Sequence, residues 1–249
     1  MNQKIQKLLS HLGYASRRGI EQMILEKEVS INGKTAIIGQ RINLKHPGQI
    51  MIKGQIIPIK YQKYHTKVIL YNKPEGEICT KKDQKNRNTV FNRLPLLDAY
   101  RWISVGRLDI NTKGLLLFTN NGNLANQLMH PKNKIEREYY IRVFGYVNNK
   151  IINILQNGVK IKTGYAAFKS IESINTRIVS KNKWFKVVLC EGKNREIRHM
   201  WKQVKCQVNR LIRIRYGNII LPKTLQPGHW MQLNTILLKN LFKLASFQE

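Results

Sequence analysis

From Val29 to Pro74 the chain carries eight Lys or Arg and not one Asp or Glu, and from Ile197 to Gln248 it carries nine and again none. Elements built from such stretches cannot neutralise themselves with local ion pairs, so their basic faces either lie in solvent or meet a polyanion. The whole chain shares the bias, with 44 Lys and Arg against 14 Asp and Glu and a formal charge of +30 over 249 residues. An excess of this size repels itself unless an anionic partner is near, which makes nucleic acid the first partner to consider. High charge also fits disorder, but 42% apolar residues, ten Tyr and four Trp supply a buried core. The chain is therefore expected to fold, as one or two domains. It has no apolar run of about 18 residues, as a membrane span needs, and no leader pattern at its charged start, so it reads as soluble, cytoplasmic and unconnected with membranes.

Residues 1 to about 60 read as a small module. Ile5, Leu8, Leu9 and Leu12 recur at helical spacing, Gly13 can end that helix, and Ser16 can cap a second one carrying Ile20, Met23 and Ile24 on one face. "VSINGKTAI" then alternates apolar and polar residues around Asn32-Gly33, the preferred pair for a two-residue hairpin turn. The stretch "QIIPIKYQKYHTK" reads as a linker with a short strand, and a second block fills residues 61–249. It opens with a strand at Val68 to Tyr71, and strand-like runs recur at 139–144, 165–171, 184–190 and 211–220. Helical spacing appears around Leu124 to Leu128 and residues 194–204. Both element types without regular strand-helix-strand units give an α+β class with a mixed, largely antiparallel sheet flanked by helices.

Several chemistries are excluded by spacing. No two of the 16 glycines are two apart and no G-x-x-x-x-G-K occurs, so the familiar nucleotide cradles are absent. The six histidines never fall at metal-ligand spacing, and Cys79, Cys190 and Cys206 form neither a disulfide framework nor a zinc pattern. Neither a metal nor an organic cofactor is expected. What remains is Asp109 in "VGRLDINTKG", the only acid between Asp98 and Glu136. One reading is a turn former in a polar segment. The other is a working carboxylate, held ionised by Arg195 or Arg198 of "CEGKNREIRHMW". In "REYYIRVFG", Tyr139, Ile141 and Val143 share one strand face, so Tyr139 is either a core residue or a phenol at the edge of a site.

"GRLDINTKGLLLFTNNGNLANQLMHP", with "YNKPEGEICT", "EREYYIRVFG", "EGKNREIRHMW" and "RLIRIRYGNIILPKTLQPGHW" in order, resembles the RsuA-type pseudouridine synthases, and its wording is most similar to their large-subunit branch. In front, "ASRRGIEQMI" and "VSINGK" resemble the S4 RNA-binding domain, so the likeness spans about residues 2 to 235. Lys193 and His199 stand where many relatives carry Arg, and Arg137 where Lys is common; only His199 gives up dependable charge. The resemblance implies an isomerase that detaches uracil at N1 and reattaches it through C5, without metal or cofactor. By matching position it implies Asp109 as the catalytic carboxylate, Arg198 as its paired arginine and Tyr139 as the ring that packs on the base and helps remove a proton. Arg107 would fill the gap left by the flipped nucleotide. Arg17 and Arg18 would lie on RNA phosphates, and Lys73, Lys193, Arg195, Arg213 and Arg215 are further expected RNA contacts. Whether Asp109 attacks C1′ or C6, or takes a ribose proton, is left open by the residues. The expected partner is ribosomal RNA, met by a monomer with no obligatory protein partner. The alternatives are a non-catalytic S4-type ribosome-assembly protein, which leaves "GRLD" and "REIRH" without a purpose, and a synthase acting on small-subunit RNA.

If phosphate neutralisation dominates binding, affinity for RNA should fall steeply between about 50 and 200 mM salt. A filter-binding titration giving a flat dependence would refute the polyanion argument.

Overall fold

The computed structural model describes residues 2–59, 65–81, 83–97, 100–174 and 182–246. The chain divides into two compact units, Met1–Thr66 with Leu96–Trp102, and Lys67–Pro95 with Ile103–Glu249. The expected division at residue 60 differs from this by the stretch up to 66 and by the excursion at 96–102. That excursion rests on side-chain contacts between residues far apart in sequence. Tyr100 and His11 bring their rings to 5.2 Å, and the Arg101 guanidinium donates to Ser10 Oγ.

The first unit runs β1 (Asn2–Lys4), α1 (Ile5–His11), α2 (Arg17–Leu25), β2 (Val29–Ile31), β3 (Lys34–Thr35), β4 (Arg41–Asn43), β5 (Ile50–Ile52) and β6 (Gln55–Ile57). Ser16 Oγ accepts the Gly19 N–H at 3.0 Å and so starts α2. Asn32 and Gly33 both take positive φ, 50° and 76°, as a primed hairpin turn requires. Ile5, Leu9, Ile20, Val29 and Ile50 are fully buried in its core. Part of the expected linker is therefore a strand, β6, paired with β5; its residues 60–64 lie outside the described residues.

The second unit contains β7 (Val68–Lys73), β8 (Ile103–Ser104), β9 (Lys113–Thr119), α3 (Gly122–Met129), β10 (Arg137–Phe144), α4 (Asn149–Asn157), β11 (Val159–Ile161) and β12 (Gly164–Ala166). It continues through β13 (Ser170–Ile174), β14 (Asn182–Leu189), α5 (Glu196–Gln203), β15 (Gln207–Tyr216), β16 (Ile219–Ile220), β17 (Trp230–Gln232) and α6 (Thr235–Leu244). Its main sheet has the order β13-β14-β10-β15-β9-β7-β17, with β16 on β15 and β8 on β9. All described pairings in it are antiparallel except β15 with β9, so the sheet is mixed and largely antiparallel. Leu115 and Leu117 of β9 face a core built with α3, Tyr216 and α6, where Leu124, Leu128 and Leu241 are fully buried. The continuous apolar run "GLLLFT" is buried on both faces, which is why it lacks the alternation that marks a strand open to solvent on one side.

The parallel pair depends on Gly114. Its φ is +101°, and a Cβ there would lie 2.2 Å from the carbonyl oxygen of Arg213 on β15. Backbone, not a flexible side chain, blocks it. Gly114→Ala is expected to lower stability by about 2 kcal/mol or more, and an unchanged denaturant midpoint would show that the two strands can move apart freely.

Candidate active site

A cleft of about 810 Å³ opens in the second unit. Its floor is the sheet: Arg137 and Tyr139 from β10, Leu211, Arg213 and Tyr216 from β15. On β10 the odd positions 137, 139, 141 and 143 are all buried, so Tyr139 continues the apolar face as the sequence period requires. A register shift in the β10–β15 ladder between Glu138 and Tyr139 sets Tyr139 directly opposite Arg213. One wall is the segment from Gly106 to Thr112 that carries Asp109, and the other is the turn from Glu191 to Glu196 leading into α5.

The Asp109 segment is held by its backbone. Lys73 is fully buried, and its Nζ donates to the carbonyls of Pro74 and Thr112, each at 2.9 Å, and of Ile110 at 3.4 Å. Arg198 donates through Nη2 to Asn111 O at 3.0 Å and through Nη1 to Val208 O at 2.6 Å. The Gly76 N–H reaches Ile110 O at 2.9 Å, and the Thr112 N–H closes a turn on Asp109 O at 3.0 Å. Cys79 Sγ sits 3.3 Å from Leu108 O and 3.4 Å from Leu108 N. Burial pulls Lys73 and Arg198 below their ordinary pKa values and pushes the Cys79 thiol up, while the negative charge of Asp109 favours both cations. The Asp109 carboxylate, half-buried on the cleft wall, has no hydrogen-bond or ion-pair partner among the described residues.

These contacts revise three expectations. Lys73 is not placed to touch RNA, because its ammonium is buried under the Asp109 segment and occupied by three carbonyls. Arg198 does not pair directly with Asp109; it grips the carbonyl of Asn111 and acts on the carboxylate at longer range. Arg215 is likewise occupied, by Glu136 and Glu138 at 3.0 Å each and by Gly217 O at 2.8 Å. Arg213 is buried at the floor. Arg107 and Arg195 are exposed at the rim, and Lys193 on the same wall is tied to Glu191 at 2.9 Å and to Tyr165 O at 2.6 Å. Arg17 and Arg18 are exposed at the start of α2 in the first unit. Among the described residues no helix is long and apolar enough to cross a membrane, and no group of three or more His, Cys, Asp or Glu is arranged to hold a metal ion.

A family model described as RNA pseudouridylate synthase matches residues 67–203, which contain the cleft's Asp109 wall and β10, and an S4 domain model matches residues 3–43. The chain belongs to the RNA pseudouridylate synthase family. Among the synthases it resembles, the "Ribosomal large subunit pseudouridine synthase B" of Buchnera aphidicola subsp. Acyrthosiphon pisum (strain APS) is 64% identical over the full length of both chains. The protein of the same name from Pasteurella multocida (strain Pm70) is 50% identical over 233 residues, covering 93% of this chain and 67% of that one. A crystal structure of a pseudouridylate synthase superposes with a TM-score of 0.64 at 19% identity, covering 96% of this chain and 99% of that one, so the fold is shared.

Sequence reasoning passed over Thr112, Glu196 and Tyr216, all of which line the cleft. Each lies inside a quoted motif, and membership of the motif was the only available signal. Glu196 is buried, and its Oε2 accepts the Lys193 N–H at 2.9 Å, fixing the turn that forms the wall. Burial, and then the neighbouring Glu191 carboxyl, push its pKa up to about 7. A folded-state pKa raised above the unfolded value means stability that is full at acidic pH and is lost as pH rises through about 7. Glu196→Gln can still accept from Lys193 and cannot ionise. Its melting temperature is expected to exceed the parent's at about pH 8 and to converge with it near pH 5; equal values at both would dismiss the raised pKa.

Proposed function

We propose that this synthase isomerises a specific uridine of 23S large-subunit ribosomal RNA to pseudouridine, with Asp109 as the catalytic carboxylate. The observation that carries this reading is a carboxylate with no partner among the described residues, set on the wall of a cleft by a segment whose carbonyls are gripped by buried Lys73 and half-buried Arg198. A turn-forming Asp would spend its oxygens on nearby backbone N–H groups; this one keeps them for a ligand.

The uridine of folded RNA must leave its stack to reach the cleft, at a cost of a few kcal/mol. In this reading Arg107, exposed at the rim, fills the vacated space, and Arg195, also exposed there, meets a flanking phosphate. Tyr139, buried at the floor with its ring facing the cleft, offers a surface on which the base packs and a phenol for the proton that leaves C5. Asp109 supplies the charge that acts on the nucleotide as the C1′–N1 bond breaks. Arg17 and Arg18 of the S4 domain contribute sequence-independent phosphate contacts. Relatives matching the whole chain carry the large-subunit name, which favours large-subunit over small-subunit RNA. A non-catalytic assembly factor has no use for a cationic clamp on the segment that carries such a carboxylate. The protein is expected to work in the cytoplasm, as a monomer.

Asp109→Asn keeps size and hydrogen bonding but loses the charge. It is expected to melt within about 1 kcal/mol of the parent, to bind rRNA fragments nearly as well, and to form no pseudouridine in a single turnover. Arg198→Met should also lose activity, with some loss of stability because two carbonyls lose their donor. Near-normal turnover by a folded Asp109→Asn protein would return the residue to a turn role.

A further inference from the structure

Three buried polar atoms of residues that line the cleft have no hydrogen-bond partner among the described residues: Thr112 Oγ1, Glu196 Oε1 and Arg213 Nη2. A hydroxyl can turn, and the Glu196 oxygen is served when it shares a proton with Glu191. Arg213 has no such recourse. It is 3% exposed, its Nε donates to Leu115 O at 2.6 Å, and its two Nη groups meet no acceptor. Among the described residues no carboxylate forms an ion pair with it. Its guanidinium lies 5.1 Å from the centre of the Tyr216 ring, which Arg137 approaches at 5.0 Å, so the ring is shared by two cations and neutralises neither. Arg137 is satisfied by Cys190 O and Tyr216 Oη, each at 3.0 Å. A buried guanidinium left half-bonded destabilises the fold unless a ligand completes it.

The part of the nucleotide that completes it follows from position. Arg213 stands opposite Tyr139 on the neighbouring strand, at the cleft floor, whereas Arg107 and Arg195 occupy the exposed rim. The backbone phosphates of bound RNA stay at the rim, and the flipped base is what descends to the floor. The acceptors of a uracil are its two carbonyl oxygens. We propose that Arg213 is a further catalytic residue, whose free Nη groups donate to a carbonyl oxygen of the flipped uracil and hold the charge that develops there. The proposal rests on the synthase reading above.

When the C1′–N1 bond breaks, its electron pair passes to the uracil and spreads over N1, O2 and O4. A preorganised cation beside one of these oxygens stabilises the departing anion more than the neutral base, which is what lowers a barrier. No proton leaves Arg213. The charge is discharged when C5 bonds to C1′, the C5 proton is lost and N1 takes one up, so nothing is consumed.

The test compares parent, Arg213→Met and Arg213→Lys in single-turnover reactions on an unmodified rRNA fragment, and on the same fragment with 5-fluorouridine at the target. Fluorine stabilises the uracil anion, so the second substrate depends less on outside help; since C5–F cannot lose a proton, consumption of the fluoronucleoside is followed. Arg213→Met is expected to slow uridine turnover about 100-fold or more, to keep RNA affinity within about threefold, and to lose at least tenfold less on the fluoro substrate. Arg213→Lys, which keeps the charge, should fall between and serves if the Met variant does not fold. An equal deficit on both substrates would make Arg213 merely structural, and weakened RNA binding with normal turnover would make it a phosphate ligand; either overturns the proposal. A parent protein that makes no pseudouridine overturns the synthase reading itself, and this proposal with it.

Discussion

The arrangement of the cleft depends on two cations, Lys73 fully buried and Arg198 half-buried, that bond to carbonyl oxygens instead of acids. Lys73 Nζ and Arg198 Nη2 between them take the carbonyls of Ile110, Asn111 and Thr112, the three residues after Asp109. Charge-assisted bonds of this kind are stronger than neutral ones, and they fix a backbone without using up the side chain it carries. Had either cation paired directly with the Asp109 carboxylate, the acid would have been held but also occupied. Gripping the chain leaves the carboxylate unbonded and still on the cleft wall.

The same interaction ties the cleft to the sheet. Lys73 ends β7, which pairs along its length with β9, and Gly114 of β9 lies against Arg213 of β15. The residue that allows that approach is two positions beyond Thr112, so the Asp109 segment is anchored at its base by backbone packing and along its length by cations. Displacement of β9 from β15 would move the carboxylate, Tyr139 and Arg213 relative to one another.

The chain's basicity therefore has two physical fates. Lys73, Arg198 and Arg215 are spent internally, on carbonyls or on Glu136 and Glu138. Arg17, Arg18, Arg107 and Arg195 are exposed and unspent, which is the condition for releasing counterions from a polyanion. Net charge does not distinguish these fates. Arg213 and Arg215 stand two apart on one strand, yet one faces a cleft without an acid partner and the other is bracketed by two.

Local rules in the chain itself settled the first unit: helix spacing, the Ser16 cap and the Asn32-Gly33 turn all act within a few residues, and the structure follows them. They settled the buried face of β10 for the same reason, since a strand's period is a property of the strand. Motif order was enough to mark Asp109, Tyr139 and the α5 turn as one neighbourhood. The tertiary structure alone decided that "GLLLFT" is a central strand buried on both faces, that 96–102 joins the first unit, and which cations are free. Those outcomes depend on partners far away in sequence, such as Lys73 meeting Thr112 or Arg213 meeting Gly114, and a side chain's charge is the same whether its neighbour in space is a carbonyl, a carboxylate or an empty cleft.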